Sequence, residues 1–250
     1  MKHYTLCTRC FKEKPVSHTW AVGEIQSSLV AICTCPKGHK TIDGLMHDLM
    51  DVLYTSGVHA YLNDCFSESV MSFAVSLEQS YALFIRAVLL REGVSLESID
   101  ELWKEIGNQS ERLYGAFCSQ FLRITCKSWK VNQGMIKFRN KVIHKGYIVT
   151  SNEAKRFAEY ITKCHFIILN ILKKDFSDEC KKIFFYQKEQ NSTNVDKIMK
   201  DNPGALFVAS AYPSLLKWNN SEIKNLNFSN ILVEYKNSLK IYSIPIRQRI

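Results

Sequence analysis

The sequence predicts a mainly α protein. An antiparallel helical bundle is expected at residues 41–176, a small cysteine-rich module before it at 1–40, and an α+β extension after it at 177–250. Three observations carry this. Apolar residues recur every three or four positions through the middle of the chain, the period of helices that bury one face. Cysteines pair at short spacing near the start, and beyond Asp175 the long period gives way to short runs divided by polar and turn-forming residues.

The first module opens with the knuckle Cys7-Thr8-Arg9-Cys10. An alternating stretch through Trp20, Val22, Ile25 and Val30 leads to Cys33-Thr34-Cys35-Pro36-Lys37-Gly38-His39. Two knuckles bracketing strand-like sequence make a zinc ribbon, in which Zn²⁺ takes four sulfur or imidazole ligands. The expected set is Cys7, Cys10, Cys35 and His39, with Cys33 close enough to replace Cys35 or His39. A segment this short has little core, so metal binding would supply its folding free energy. Reduced thiols without metal are the alternative. Zinc here would be structural, because a closed ligand set leaves no position for substrate.

The bundle is expected to begin with a helix from Thr41 to about Asn63, with Leu45, Leu49, Val52, Leu53 and Ala60 on its stripe and a bend at Gly57. A second runs from about Ser67 to Arg91 before Gly93. Ser98 and Glu101 then read as a capping box, opening a helical period that continues towards Trp129. Thr150 and Glu153 form another box ahead of a final long helix through Ala154, Phe157, Ile161, Ile168 and Leu172. In the extension the sequence predicts a helix from Ser177 to about Lys188, a loop at Gln190–Asn194 and a turn at Asn202-Pro203-Gly204. A strand over Ala205–Tyr212 and a hairpin around Lys236-Asn237-Ser238 follow.

Between the last two bundle helices lies Phe138-Arg139-Asn140-Lys141-Val142-Ile143-His144-Lys145-Gly146, expected as a cationic turn. Histidine exchanges protons near neutral pH, arginine offers a planar fork matched to phosphate, and asparagine both donates and accepts. Those are the groups that phosphodiester cleavage needs, so Arg139, Asn140 and His144 are the candidate catalytic residues. Lys137, Lys141 and Lys145 are candidate RNA contacts, with Trp129 and Phe138 placed either to stack bases or in the core. If the segment is helical, Asn140 and His144 share a face, Arg139 points well round from His144, and Gly146 ends the helix. Glu78 is a secondary candidate, equally readable as a structural ion-pair partner.

This motif, Arg-Asn, three residues, His, then Lys-Gly, between amphipathic helices, resembles that of the HEPN superfamily over roughly residues 42–175. The resemblance implies a metal-independent endoribonuclease that works as a homodimer, of the kind found in bacterial toxin–antitoxin and phage-defence systems. It also implies control by an antitoxin or other regulatory protein. The divergence of Arg139 and His144 along one helix points to a dimer as well. Other members of that superfamily are silent and only bind RNA or partners, which is the alternative here.

Composition agrees. An apolar fraction of 46% builds a core, and a net charge of +9 favours an anionic partner, nucleic acid before membrane. Nine cysteines without an apolar leader suit a reducing cytoplasm. No Gly-rich phosphate loop, nucleophile elbow or zinc-protease helix motif is present.

Overall fold

A computed structural model describes residues 2–14, 19–46, 48–107, 109–210 and 227–241. The chain begins with β1 (Lys2–Leu6), α1 (Thr8–Glu13), β2 (Trp20–Ile25), β3 (Val30–Thr34) and β4 (Lys40–Leu45). A helical run follows: α2 (Leu49–Leu62), α3 (Phe66–Arg91), α4 (Leu96–Ile106), α5 (Ser110–Thr125), α6 (Gln133–Lys145) and α7 (Ser151–Asp175). After it come α8 (Ser177–Gln190), α9 (Ser192–Asp201), β5 (Leu206–Ser210) and α10 (Phe228–Ile241). The protein is therefore mainly helical, with a helical bundle and one five-stranded sheet.

The chain divides into two compact units. One comprises residues 1–48, 185–213 and 244–250; the other comprises 49–184 and 214–243. The C-terminal part of the sequence thus contributes to both.

In the first unit the strands lie in chain order, antiparallel from β1 to β4, with β5 joining parallel to β4. The register sets Lys2, Glu24, Ile32, Ile42 and Phe207 in one row across the sheet. On that face Val30, Ile42 and Ala205 pack with Val195, Ile198 and Met199 of α9. A second small core joins Cys7, Cys10, Ala21, Ala31, Cys33 and Cys35.

In the second unit α3 is the centre, in contact with α2, α4, α5, α6 and α7. By length and composition α3 could cross a membrane. Yet 72% of its most apolar window is buried among the other helices. Its apolarity is that of a core helix. Gly57 serves close approach rather than a bend: a Cβ there would lie 2.8 Å from the Phe73 ring. Ser69 and Ser76 donate to the Gly57 and Met50 carbonyls at 2.8 Å, binding α2 to α3.

Several expected elements differ. Leu45 closes β4, and the first long helix starts only at Leu49, because Thr41–Leu45 pairs in register with β3 and β5. Ser95, not Ser98, caps α4, accepting from the Ser98 amide. The helical period towards Trp129 is broken near Gly107, and only Asn191 separates α8 from α9. Where a hairpin was expected, α10 forms, because Phe228, Ile231 and Tyr235 at spacings of three and four bury in the bundle core. The end of that hairpin, 242–244, lies outside the described residues, as do residues 211–212 of the strand expected over Ala205–Tyr212. The Thr150–Glu153 capping box is present in full.

Candidate functional site

The motif is helical, which corrects the expectation of a turn. Asn132 caps α6 by accepting from the Gly134 and Met135 amides at 2.9 and 3.3 Å. Gly146 ends it in the left-handed region at φ 62°, ψ 31°. Val142 is buried in the bundle core, with Met135, Phe138 and Ile143 packed against that core. That packing fixes which face of α6 looks outward.

Arg139 lies on the seam between α6, α3 and α5. Its Nη2 donates to Glu78 Oε1 of α3 at 2.9 Å and approaches Ser110 Oγ of α5 at 3.4 Å, while Nη1 donates to Asn140 Oδ1 at 3.0 Å. The fork is therefore held from three sides. Beside it opens a cleft of about 550 Å³ between α3, α5, α6 and α7, and Arg139, Asn140, His144 and Glu78 all line it. Arg139 and His144 thus reach one cleft of a single chain, although they diverge along the helix.

The N-terminus of α5 borders the same cleft through Gln109, Ser110 and Glu111. Among the described residues no side chain caps that helix at Gln109, and Glu111 in its first turn sits at the positive end of its dipole. Tyr81 of α3, Tyr114 of α5 and Tyr160 of α7 supply aromatic wall, with the Tyr81 and Tyr114 rings 6.0 Å apart.

Lys137, Lys141 and Lys145, at i, i+4 and i+8, form an exposed stripe on α6 and are not among the cleft's lining residues. Lys141 sits over Tyr147, its Nζ 3.3 Å from the ring centroid. Trp129 and Phe138 are packing residues, not stacking platforms. Trp129 meets Phe117 and Phe121 edge-on at 5.2 and 4.9 Å, and Phe138 lies 5.7 Å from Phe157. Sequence reasoning missed Ser110, Tyr114 and Tyr160 as cleft residues. The tyrosines obey the same helical spacing as true core positions, and only the gap left between α5, α6 and α7 distinguishes them.

In the other unit Cys7, Cys10, Cys35 and His39 converge, their ligand atoms all within 4.8 Å of one another. Cys10 Sγ lies 3.9 Å from Cys35 Sγ and 3.3 Å from His39 Nδ1, and Cys7 Sγ is 3.8 Å from that nitrogen. A tetrahedron with Zn–S of about 2.3 Å has edges of about 3.8 Å. The set could therefore hold a metal ion such as zinc with little rearrangement. Cys7 caps α1, with the Cys10 amide donating to its sulfur at 3.5 Å. Burial opposes the Cys35 thiolate, yet backbone amides of His39 and Lys37 outweigh it and lower the pKa. Cys33 stands apart on β3, its thiol against the His3 carbonyl at 3.9 Å and pushed up to about 12 by burial. It is a packing residue.

No family model, curated protein or solved structure matches this chain.

Proposed function

We propose that this protein is a metal-independent RNA endonuclease of the HEPN kind, acting in the cytoplasm as a toxin or anti-phage effector. The observation that carries the reading is the convergence of Arg139, Asn140 and His144 on one cleft, with Arg139 held at 2.9 Å by Glu78. In this mechanism the RNA 2′-hydroxyl attacks the adjacent phosphorus, the bond to the 5′-oxygen breaks, and a 2′,3′-cyclic phosphate forms. His144 moves the proton between the attacking and leaving oxygens. Arg139 neutralises charge building on the non-bridging oxygens. Asn140 positions Arg139 through their 3.0 Å bond. Zinc in the Cys7, Cys10, Cys35 and His39 set would be structural, forming a ribbon-like knuckle pair that stabilises the sheet unit. Homodimerisation rests on the resemblance and on the divergence of Arg139 and His144 along α6; control by an antitoxin or regulator rests on the resemblance.

The test is incubation of the protein and its His144→Ala variant with tRNA and ribosomal RNA in magnesium-free buffer, zinc retained, with analysis of fragment ends. Cleavage by the wild type alone, leaving cyclic phosphate, is expected. Equal cleavage by the variant overturns the mechanism.

One observation favours a second reading, a non-catalytic module that binds RNA or a partner. Glu78 already occupies part of the guanidinium of Arg139, as in a structural ion pair. Such a module would keep its RNA affinity in the His144→Ala variant and cut nothing.

A further inference from the structure

We propose that the cluster of Cys7, Cys10, Cys35 and His39 is a redox-exchangeable staple, held by a metal ion when reduced and by a disulfide between Cys10 and Cys35 when oxidised by peroxide; this rests on the reading of those residues as a zinc site. The two sulfurs lie 3.9 Å apart, one from α1 and one from the turn between β3 and β4. A disulfide sets its sulfurs at about 2.05 Å, so the closure is under about 2 Å. The neighbouring thiols are placed to stay out of it. Cys7 caps α1, its sulfur accepting from the Cys10 amide at 3.5 Å, and Cys33 lies against the His3 carbonyl at 3.9 Å. The turn holding Cys35 is closed on itself, the Cys35 and Gly38 amides donating to the His39 and Cys35 carbonyls at 3.0 and 2.8 Å. That knuckle therefore keeps its shape while the sulfur changes partner. The bond would join positions 25 apart and enclose β2 and β3, the strands that a bound ion ties together. The core around the cluster is only Cys7, Cys10, Ala21, Ala31, Cys33 and Cys35, so the strands need one staple or the other.

His39 is the half-buried member of the four, and a small neutral oxidant such as hydrogen peroxide enters on its side. One thiolate of the pair attacks a peroxide oxygen; the O–O bond breaks, hydroxide leaves and the sulfur becomes a sulfenic acid. The second thiolate attacks that sulfur, the S–O bond breaks, and a second hydroxide leaves as the disulfide forms. Two electrons thus pass from the two sulfurs to peroxide, and both hydroxides take up protons to give water. Cys7 and His39 alone remain as ligands, too few for a closed tetrahedral site, and the ion is released. A dithiol reverses the exchange through a mixed disulfide.

The test starts from the whole chain purified with dithiothreitol and zinc, its metal content measured by atomic absorption. Hydrogen peroxide is then titrated in, a chromogenic chelator reading released zinc and peptide mass spectrometry reading the disulfide. Zinc release is expected to rise in step with the bond between Cys10 and Cys35, about one ion per bond, and dithiothreitol with zinc to restore the starting state. Amide protection over β2–β4 should persist in the oxidised, metal-free chain and be lost once the disulfide is reduced beside a chelator. A bond between any other pair of cysteines, or oxidation of the cluster to sulfinic acid, overturns the proposal. A chain that binds no zinc at the outset defeats the metal reading itself, whereas bound zinc that peroxide does not exchange for the bond defeats the exchange alone.

Discussion

At Arg139 a single side chain ties three helices to one cleft, through bonds to Glu78, Ser110 and its neighbour Asn140. Lysine keeps the charge but cannot span two partners at once. Arg139→Lys should therefore cut kcat by about 10²–10³-fold with the fold unchanged, the scale of losing one charged transition-state donor; a variant with wild-type kcat would show that the fork has no part in the reaction. Elsewhere His165 is fully buried, with its Nε2 3.0 Å from Ser76 Oγ. Since Ser76 donates to the Met50 carbonyl, the imidazole donates to Ser76, which leaves Nδ1 without a partner among the described residues. Burial lowers its pKa to about 3, against an ordinary 6.5. Below pH 6.5 the unfolded chain takes up a proton that the folded one refuses. The contribution of His165 is thus complete above pH 6.5 and fades towards pH 3, by about 1.4 kcal/mol per pH unit. Denaturant titrations between pH 7 and 4 should show that slope, and His165→Gln should flatten it. The catalytic candidates were legible because Arg, Asn and His cluster in a short cationic stretch. Tyr114 and Tyr160 were not, since a cleft wall and a core carry the same periodic signature.

Among the elements, α6 is bounded at both ends by residues that fit their backbone: Asn132 at the start and Gly146 at φ 62° at the finish. A Cβ at Gly146 meets no neighbour, so the cost of Gly146→Ala is conformational, about 1 kcal/mol. Its wider effect is on His144, two residues away. Thermal unfolding should report the modest loss, and cleavage should fall further than stability does. Thr150→Ala removes the reciprocal cap of α7 and should cost about 1 kcal/mol, with no comparable change in kcat. Capped amphipathic helices such as α3 and α7 announced themselves by period and ends. For α10 the β-branched Ile231 and Val233 and the polar Lys236-Asn237-Ser238 imitated a hairpin. What decided the matter was burial of Phe228, Ile231 and Tyr235 against the bundle, a tertiary fact that local propensity does not contain. Likewise Leu45 and Leu49 share a helical spacing by coincidence, one ending a strand and the other opening a helix.

For the molecule as a whole, the two units should respond differently to a chelator. The sheet unit has small cores, and the cluster of Cys7, Cys10, Cys35 and His39 makes up much of one of them. Stripping a bound metal should melt the strands, seen as lost amide protection over β1–β4, while the helices of the bundle persist. Equal protection with and without metal would remove zinc from the stability of the fold. Sedimentation at several concentrations tests the dimer that the resemblance and the divergence of Arg139 and His144 imply. The domain plan was legible as far as a cysteine module followed by helices. The contribution of the extension to both units was hidden, because β5 pairs with a strand some 160 positions earlier and no local pattern records its partner.

That pairing also sets an order on synthesis. β4 must wait for β5, some 160 residues later, and α7 for α10, before these contacts can form. Until then the sheet lacks its parallel edge and the bundle lacks the aromatic plug of Phe228.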